Sequence, residues 1–183
     1  MKKNKQILMV DVDNVMADFT VAVRDYLYNI GYELSPIDSI VHNLTSHVVI
    51  TDTKKFEKNI SFLNTIEFWS NLPLKPDVQK IFLMLCDKYD VYIATAPYEK
   101  AMGSFVKGRY QWFIKHFPYF DLNKIHITEQ KWELDFDVII DDKKETLEKC
   151  SGRVIAMDYP YNRDLTTAHE RVKSWKDIGV LLL

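Results

Sequence analysis

Ile7-Leu8-Met9-Val10-Asp11-Val12-Asp13-Asn14-Val15-Met16 decides how this chain reads, because four apolar residues run straight into two carboxylates spaced two positions apart. The apolar run has the composition of a buried strand. Alternate side chains of an extended chain share a face, so Asp11 and Asp13 leave the strand end toward one small volume. Two carboxylates that close repel each other unless a cation or a shared proton holds them. Mg²⁺, a hard cation that takes oxygen ligands from one or two carboxylates and from a substrate phosphate, answers that need. A polar exit from strand into turn, where Asp and Asn are common, is the competing account of the same residues.

Further along, Phe19, Ala22, Val23, Tyr26, Leu27 and Ile30 are spaced as one face of a helix that Gly31 is placed to stop. Val78, Ile81, Phe82 and Leu85 follow Pro76 as a second helix and lead into Val91-Tyr92-Ile93-Ala94, a short β-prone run ending in Thr95. The spacing predicts a long amphipathic helix from about Lys100 to Phe117, with Met102, Phe105, Val106 and Phe113 on its inner side. Lys124-Ile125-His126-Ile127, Asp137-Val138-Ile139-Ile140 and Arg153-Val154-Ile155-Ala156 read as three further strands. Apolar strands alternating with helices imply the α/β class, with a doubly wound parallel sheet covered on both faces. Ligands bind such sheets at the carboxyl ends of the strands. Asp11, Asp13, Thr95 and the pair Asp141-Asp142 each end an apolar run, so a single edge receives them all.

The first strand and the next are separated by more than twice the ~30 residues that a βαβ unit takes. Residues 17–71 therefore read as an insertion, a small helical cap, and residues 1–16 and 72–183 as the α/β core. The insertion holds Phe19, Tyr26, Tyr28, Tyr32, Phe56, Phe62, Phe68 and Trp69 around a polar, β-branched middle from Asn43 to Lys55. Such a cap can exclude water and touch the part of a substrate that does not react. Most of its aromatics equally suit a minor hydrophobic core.

With 183 residues, 47% hydrophobic and 27% charged, the chain can bury a sizeable core without staples. A net charge of −2 argues against a surface for nucleic acid polymers, and a small substrate is expected. Cys86 and Cys150 lack metal-ligand spacing and point to a reducing compartment. Lys2, Lys3 and Lys5 precede an apolar run as in a secretory leader, but the run stops at Asp11. No segment reaches the ~18 apolar residues of a membrane span. A cytoplasmic protein is expected. Tyr159-Pro160-Tyr161-Asn162 and the apolar end Val180-Leu181-Leu182-Leu183 are candidates for a homodimer interface, with packing of the tail on its own sheet as the alternative.

A phosphate monoester resists hydrolysis because its negative oxygens repel a nucleophile, so a catalyst must hold positive charge and a nucleophile together. Asp11 is the candidate nucleophile, forming an aspartyl-phosphate that splits one difficult displacement into two. Asp13 is the candidate acid and base, protonating the leaving alkoxide and then deprotonating water. Asp11 and Asp142 side chains with the Asp13 carbonyl would hold Mg²⁺. Thr95 offers a hydroxyl to phosphate and Lys131 an ammonium, although a turn threonine and a surface lysine are the commoner fates of such residues. Neighbours at a strand end point in opposite directions, so one of Asp141 and Asp142 is the expected direct ligand. Asp142 is favoured, with Asp141 orienting Lys131, acting through water, or capping a helix at Lys143-Lys144-Glu145.

With these residues in place, the chain resembles the haloacid dehalogenase superfamily, whose motifs are similar to Asp11-x-Asp13-x-Val15, Thr95, Lys131 and Asp141-Asp142 in this order. Within it the chain resembles the 5'(3')-deoxyribonucleotidases through Asp11-Val-Asp-Asn-Val-Met-Ala-Asp-Phe19, Ile93-Ala-Thr-Ala-Pro97, Arg109-Tyr-Gln-Trp-Phe-Ile-Lys-His-Phe117 and Val138-Ile-Ile-Asp-Asp142. The resemblance implies a Rossmann-like core, Mg²⁺-dependent removal of phosphate from deoxyribonucleoside monophosphates, and a helical cap whose aromatics contact the base, here Phe19 and Trp69. It also implies that Thr95, the Ala96 backbone N–H and Lys131 bind phosphate. The likeness is weak from about Ser35 to Ile66. Asn14 stands where the family carries glycine, a change that Asn tolerates because it adopts left-handed backbone. Ala96 replaces a hydroxyl, and Glu99 falls where lysine would suit phosphate better. A sugar phosphatase and a catalytically idle phosphate-binding domain stay open as alternatives.

Overall fold

The computed structural model describes residues 5–41, 44–166 and 170–183; Lys2, Lys3 and Asn43 lie outside the described residues. Among these, the strands are β1 (Ile7–Val10), β2 (Asp90–Thr95), β3 (Ile125–Ile127), β4 (Val138–Asp141), β5 (Arg153–Met157) and β6 (Glu170–Val172). The helices are α1 (Phe19–Asn29), α2 (Thr53–Asn59), α3 (Ile66–Ser70), α4 (Val78–Lys88), α5 (Met102–His116), α6 (Lys144–Lys149) and α7 (Trp175–Leu182). No helix among the described residues is long and apolar enough to cross a membrane. The chain divides into two compact units, one of Met1–Ala17, Leu74–Ala96 and Asp121–Leu183, the other of Asp18–Pro73 and Pro97–Phe120.

In the first unit all six strands form one parallel sheet in the order β3-β2-β1-β4-β5-β6. Val10 of β1 lies beside Ile93 of β2 on one side and Ile140 of β4 on the other. The winding therefore reverses at β1, where a doubly wound sheet opens its crevice. Leu8, Met9 and Val10 are all buried, as a parallel strand covered on both faces requires. Met9, Ala94, Ile139, Val154 and Ala156 pack with Leu147 of α6 in one apolar cluster. Phe82 of α4 meets Trp175 of α7 edge-on at 6.3 Å between ring centres.

The strands expected from the sequence are present within a residue or two, and the fold is the expected doubly wound α/β sheet. β6 is an addition. Its Glu170-Arg171-Val172 has no apolar run to announce it and is ordered by its ladder with β5 and by the 2.7 Å ion pair between Arg153 and Glu170. The apolar tail is α7, capped by Ser174, whose hydroxyl accepts from the Asp177 N–H at 3.2 Å. It buries Trp175, Ile178 and Leu182 and leaves Val180 exposed.

The second unit is helical and takes in Pro97–Phe120, a segment that the sequence reading assigns to the core, together with Asp18–Pro73. The reason lies in α5, whose buried stripe runs through Phe105, Gly108, Arg109, Trp112 and Phe113. Gly108 has no Cβ, and a Cβ there would sit 2.5 Å from the Trp69 Cβ and 2.8 Å from the Ile66 carbonyl oxygen, so its absence lets α5 press against α3. The Trp112 indole N–H donates to the Leu72 carbonyl at 2.8 Å, and the Arg109 guanidinium lies over the Phe105 and Trp69 rings at 5.0 and 5.6 Å. Met102, expected on the inner side, is exposed because α5 begins there, after a 3₁₀ turn at Glu99–Ala101.

Candidate active site

Asp11 follows β1 directly, and its backbone N–H donates to Ile140 of the neighbouring β4 at 2.9 Å. Asp141 ends β4 and Asp142 follows it, so strand pairing alone carries three carboxylates to one edge. One oxygen from each of Asp11, Asp141 and Asp142 lies within 4.8 Å of the others, and all three residues are buried. Thr95 ends β2 on the other side of β1, and its buried hydroxyl has no hydrogen-bond partner among the described residues. After Asp11 the chain turns sharply, with the N–H groups of Met16 and Ala17 both donating to Val12 at 2.8 Å and Asn14 at φ 63°. That left-handed residue is the one that stands where glycine was expected.

Lys131, on a 3₁₀ turn after β3, is buried and donates to Asp11 Oδ1 and to Asp141 Oδ2, each at 2.6 Å. Asp141 Oδ1 accepts from the Lys143 N–H at 2.7 Å. Both Asp141 oxygens thus bind the protein itself. Asp142 Oδ2 accepts from the Asn14 side-chain amide at 3.4 Å and from the Tyr161 hydroxyl, while the Asp142 carbonyl accepts from Asn162 Nδ2 at 2.8 Å. The sequence reading offers Tyr159–Asn162 as candidates for a homodimer interface; the Tyr161 hydroxyl and the Asn162 amide bond to Asp142. Their signal is positional: they lie in the loop at the carboxyl end of β5, next to β4 in the sheet.

Burial pushes the Asp11 carboxyl up to about 7, Lys131 pulls it down, and the Asp142 and Asp13 charges add to the rise. Burial raises Asp141 and Asp142 as well. Burial alone would lower the Lys131 ammonium, but the Asp11 and Asp141 carboxylates outweigh it and keep the group charged. Once all three are ionised, the buried carboxylates face one buried ammonium, an excess of two negative charges. Hard oxygen donors with that excess fit a divalent cation such as Mg²⁺. Asp13 is half-buried and near enough for its charge to act on Asp11.

The match to known proteins spans the whole described chain. The sequence profile of "5' nucleotidase, deoxy (Pyrimidine), cytosolic type C protein" covers residues 5–183. The chain belongs to this 5'-nucleotidase family. Proteins named "Putative 5'(3')-deoxyribonucleotidase" from Staphylococcus epidermidis and Staphylococcus aureus are each 26% identical to it over 95% of this chain and 94% and 93% of their own. Among solved structures, a haloacid dehalogenase-like hydrolase from Streptococcus pneumoniae shares the fold with a TM-score of 0.61 at 10% identity, covering 98% of this chain and 99% of that one. The protein described as "putative HAD-hydrolase YfnB" from Bacillus subtilis, solved with bound magnesium, aligns with a TM-score of 0.52 at 11% identity over 98% of this chain and 99% of its own. This member of the 5'-nucleotidase family is accordingly a phosphatase, with the fold of the haloacid dehalogenase-like hydrolases.

Phe19 and Trp69, the residues assigned to a base, meet in the second unit. Their rings stack at 5.8 Å and 11°. Trp69 is buried, donates its indole N–H to Leu63 at 2.8 Å and packs edge-on against Phe68 and Phe105, which makes it a core residue of that unit. Phe19 is half-buried. Ala96 closes the second stretch of the first unit, whereas Glu99 is exposed and belongs to the second unit.

Proposed function

We propose that this 5'-nucleotidase family member is a Mg²⁺-dependent phosphomonoesterase that hydrolyses deoxyribonucleoside monophosphates to nucleoside and phosphate through an aspartyl-phosphate on Asp11. The observation that carries the proposal is the Lys131 ammonium lodged 2.6 Å from both Asp11 and Asp141, with Asp142 beside them. That ammonium orients the Asp11 nucleophile and gives a phosphate oxygen a fixed positive charge. Asp11, Asp142 and the Asp13 carbonyl would hold Mg²⁺, which when bound supplies further positive charge to the phosphate. An oxygen of Asp11 attacks phosphorus, the ester P–O bond breaks, and the departing alkoxide takes a proton from Asp13. Water then gives a proton to Asp13 as it attacks the phosphoryl group, and inorganic phosphate leaves with the Asp11 carboxylate restored.

The Thr95 hydroxyl, buried and unpartnered among the described residues, is suited to donate to a phosphate oxygen, with the Ala96 backbone N–H beside it in the chain. Phe19 is assigned the base contact, with Trp69 stacked against it as support. Free Cys86 and Cys150 suit a reducing, cytoplasmic setting. A panel of deoxyribonucleoside, ribonucleoside and sugar monophosphates, assayed by phosphate release with and without Mg²⁺, tests the substrate. The highest kcat/KM is expected with a deoxyribonucleotide. A sugar phosphate preferred over every nucleotide would overturn the substrate assignment, and no release from any ester would overturn the reaction.

A further inference from the structure

The two carboxylates that follow β4 are held differently. Each oxygen of Asp141 has a protein donor, but Asp142 concentrates its donors on Oδ2, which accepts from the Tyr161 hydroxyl and from Asn14 Nδ2. Asp142 Oδ1 has no hydrogen bond among the described residues. Tyr161 is itself fixed: its ring stacks on Tyr159 at 5.2 Å and 13°. The next residue, Asn162, ties the Asp142 and Met157 carbonyls together with two 2.8 Å bonds. Asn14 Nδ2 also lies 3.1 Å from the Tyr161 oxygen, so the three groups form a closed triangle around one carboxylate oxygen.

We propose that Tyr161 is a positioning residue that commits Asp142 to bind its cation through a single oxygen and thereby sets the preference of the site for Mg²⁺ over Ca²⁺. The inference rests on the metal site proposed above. Mg²⁺ takes six ligands at short distances and one oxygen per carboxylate suits it, whereas Ca²⁺ takes six to eight at longer distances and accepts both oxygens of a carboxylate. A hydroxyl that donates to a carboxylate oxygen competes with any cation for that oxygen, and the bond is a strong, charge-assisted one. Hydrogen bonds to a ligand from the surrounding protein also fix its orientation, and their loss typically costs about 10–100-fold in metal affinity. Tyr161 therefore holds Asp142 in the form that Mg²⁺ uses and withholds the second oxygen that Ca²⁺ would take.

Calorimetric titration of the full chain with MgCl₂ and with CaCl₂ tests this on the wild type, Tyr161→Phe and Asn14→Gly, the last keeping the left-handed backbone while removing the amide. In Tyr161→Phe the Mg²⁺ affinity should fall about tenfold or more, with Ca²⁺ affinity falling less or rising, so that the ratio of the two dissociation constants narrows. Asn14→Gly should move the ratio the same way by a smaller factor. Equal losses for both ions, or no change in either, would overturn the positioning role. A wild type that binds neither ion would overturn the metal site itself. Circular dichroism reports whether Tyr161→Phe folds; if it does not, the ratio measured in Asn14→Gly decides the proposal.

Discussion

Lys131 decides whether the carboxylate cluster is tolerable. A buried carboxylate that loses its partner typically costs about 3–5 kcal/mol, and Lys131 neutralises part of the charge of Asp11 and Asp141 at once. Lys131→Met should therefore lower metal-free stability in urea by about that amount, and added Mg²⁺ should restore more stability to the variant than it adds to the wild type. Asp11→Asn acts in the opposite sense, because it removes one of three crowded charges while Asp141 still holds Lys131. Phosphate release should vanish, yet the metal-free protein should unfold at no lower urea concentration. Of these residues Asp11, Lys131, Asp141 and Asp142 are legible in the sequence because each ends or closely follows an apolar run. Asn14 is legible as a left-handed turn residue, and its φ of 63° agrees. Tyr161 is not, since it reaches Asp142 from 19 positions away and only the β4–β5 pairing makes them neighbours.

Strands β1 to β5 are readable as short, mostly apolar runs because a parallel strand buried on both faces needs apolar residues at successive positions. β6 carries Glu170 and Arg171 and owes its place to β5 and to side-chain pairing, which no local pattern reveals. The periodicity of α5 shows that one face is buried but not against what, so its place beside α3 is not legible. Gly108 marks that contact. Gly108→Ala would force a Cβ into the Trp69 Cβ and the Ile66 carbonyl, neither of which lies at the end of a flexible side chain. The expected loss is about 1–3 kcal/mol by urea denaturation, with Mg²⁺ affinity unchanged because the carboxylates belong to the first unit. An unchanged stability would contradict the close α3–α5 approach.

For the molecule as a whole, the doubly wound sheet is readable from the alternation of strands and helices, whereas the division into units is not, because it depends on which surfaces meet. The buried charge excess also makes stability depend on pH. The folded Asp11 carboxyl, near 7, lies above its ordinary value of 3.8, so the metal-free folded state holds a proton that the unfolded chain releases. The stability from that proton is fully present below about pH 4 and is lost as pH rises through 7. Mg²⁺ should therefore raise the melting temperature more at pH 8 than at pH 5, by roughly 2–4 °C for each kcal/mol that the proton contributed. Equal Mg²⁺ shifts at both pH values would contradict the charge balance drawn for the site. The central claim is that Asp11 takes the phosphoryl group. Rapid acid quench of the protein with a ³²P-labelled deoxyribonucleoside monophosphate, followed by peptide mass spectrometry, tests it most directly. The account predicts a phosphoryl group on Asp11 in the wild type, slower labelling in Asp13→Asn, which lacks the proton for the leaving alkoxide, and none in Asp11→Asn. Turnover without a labelled protein, or label on any other residue, would contradict it.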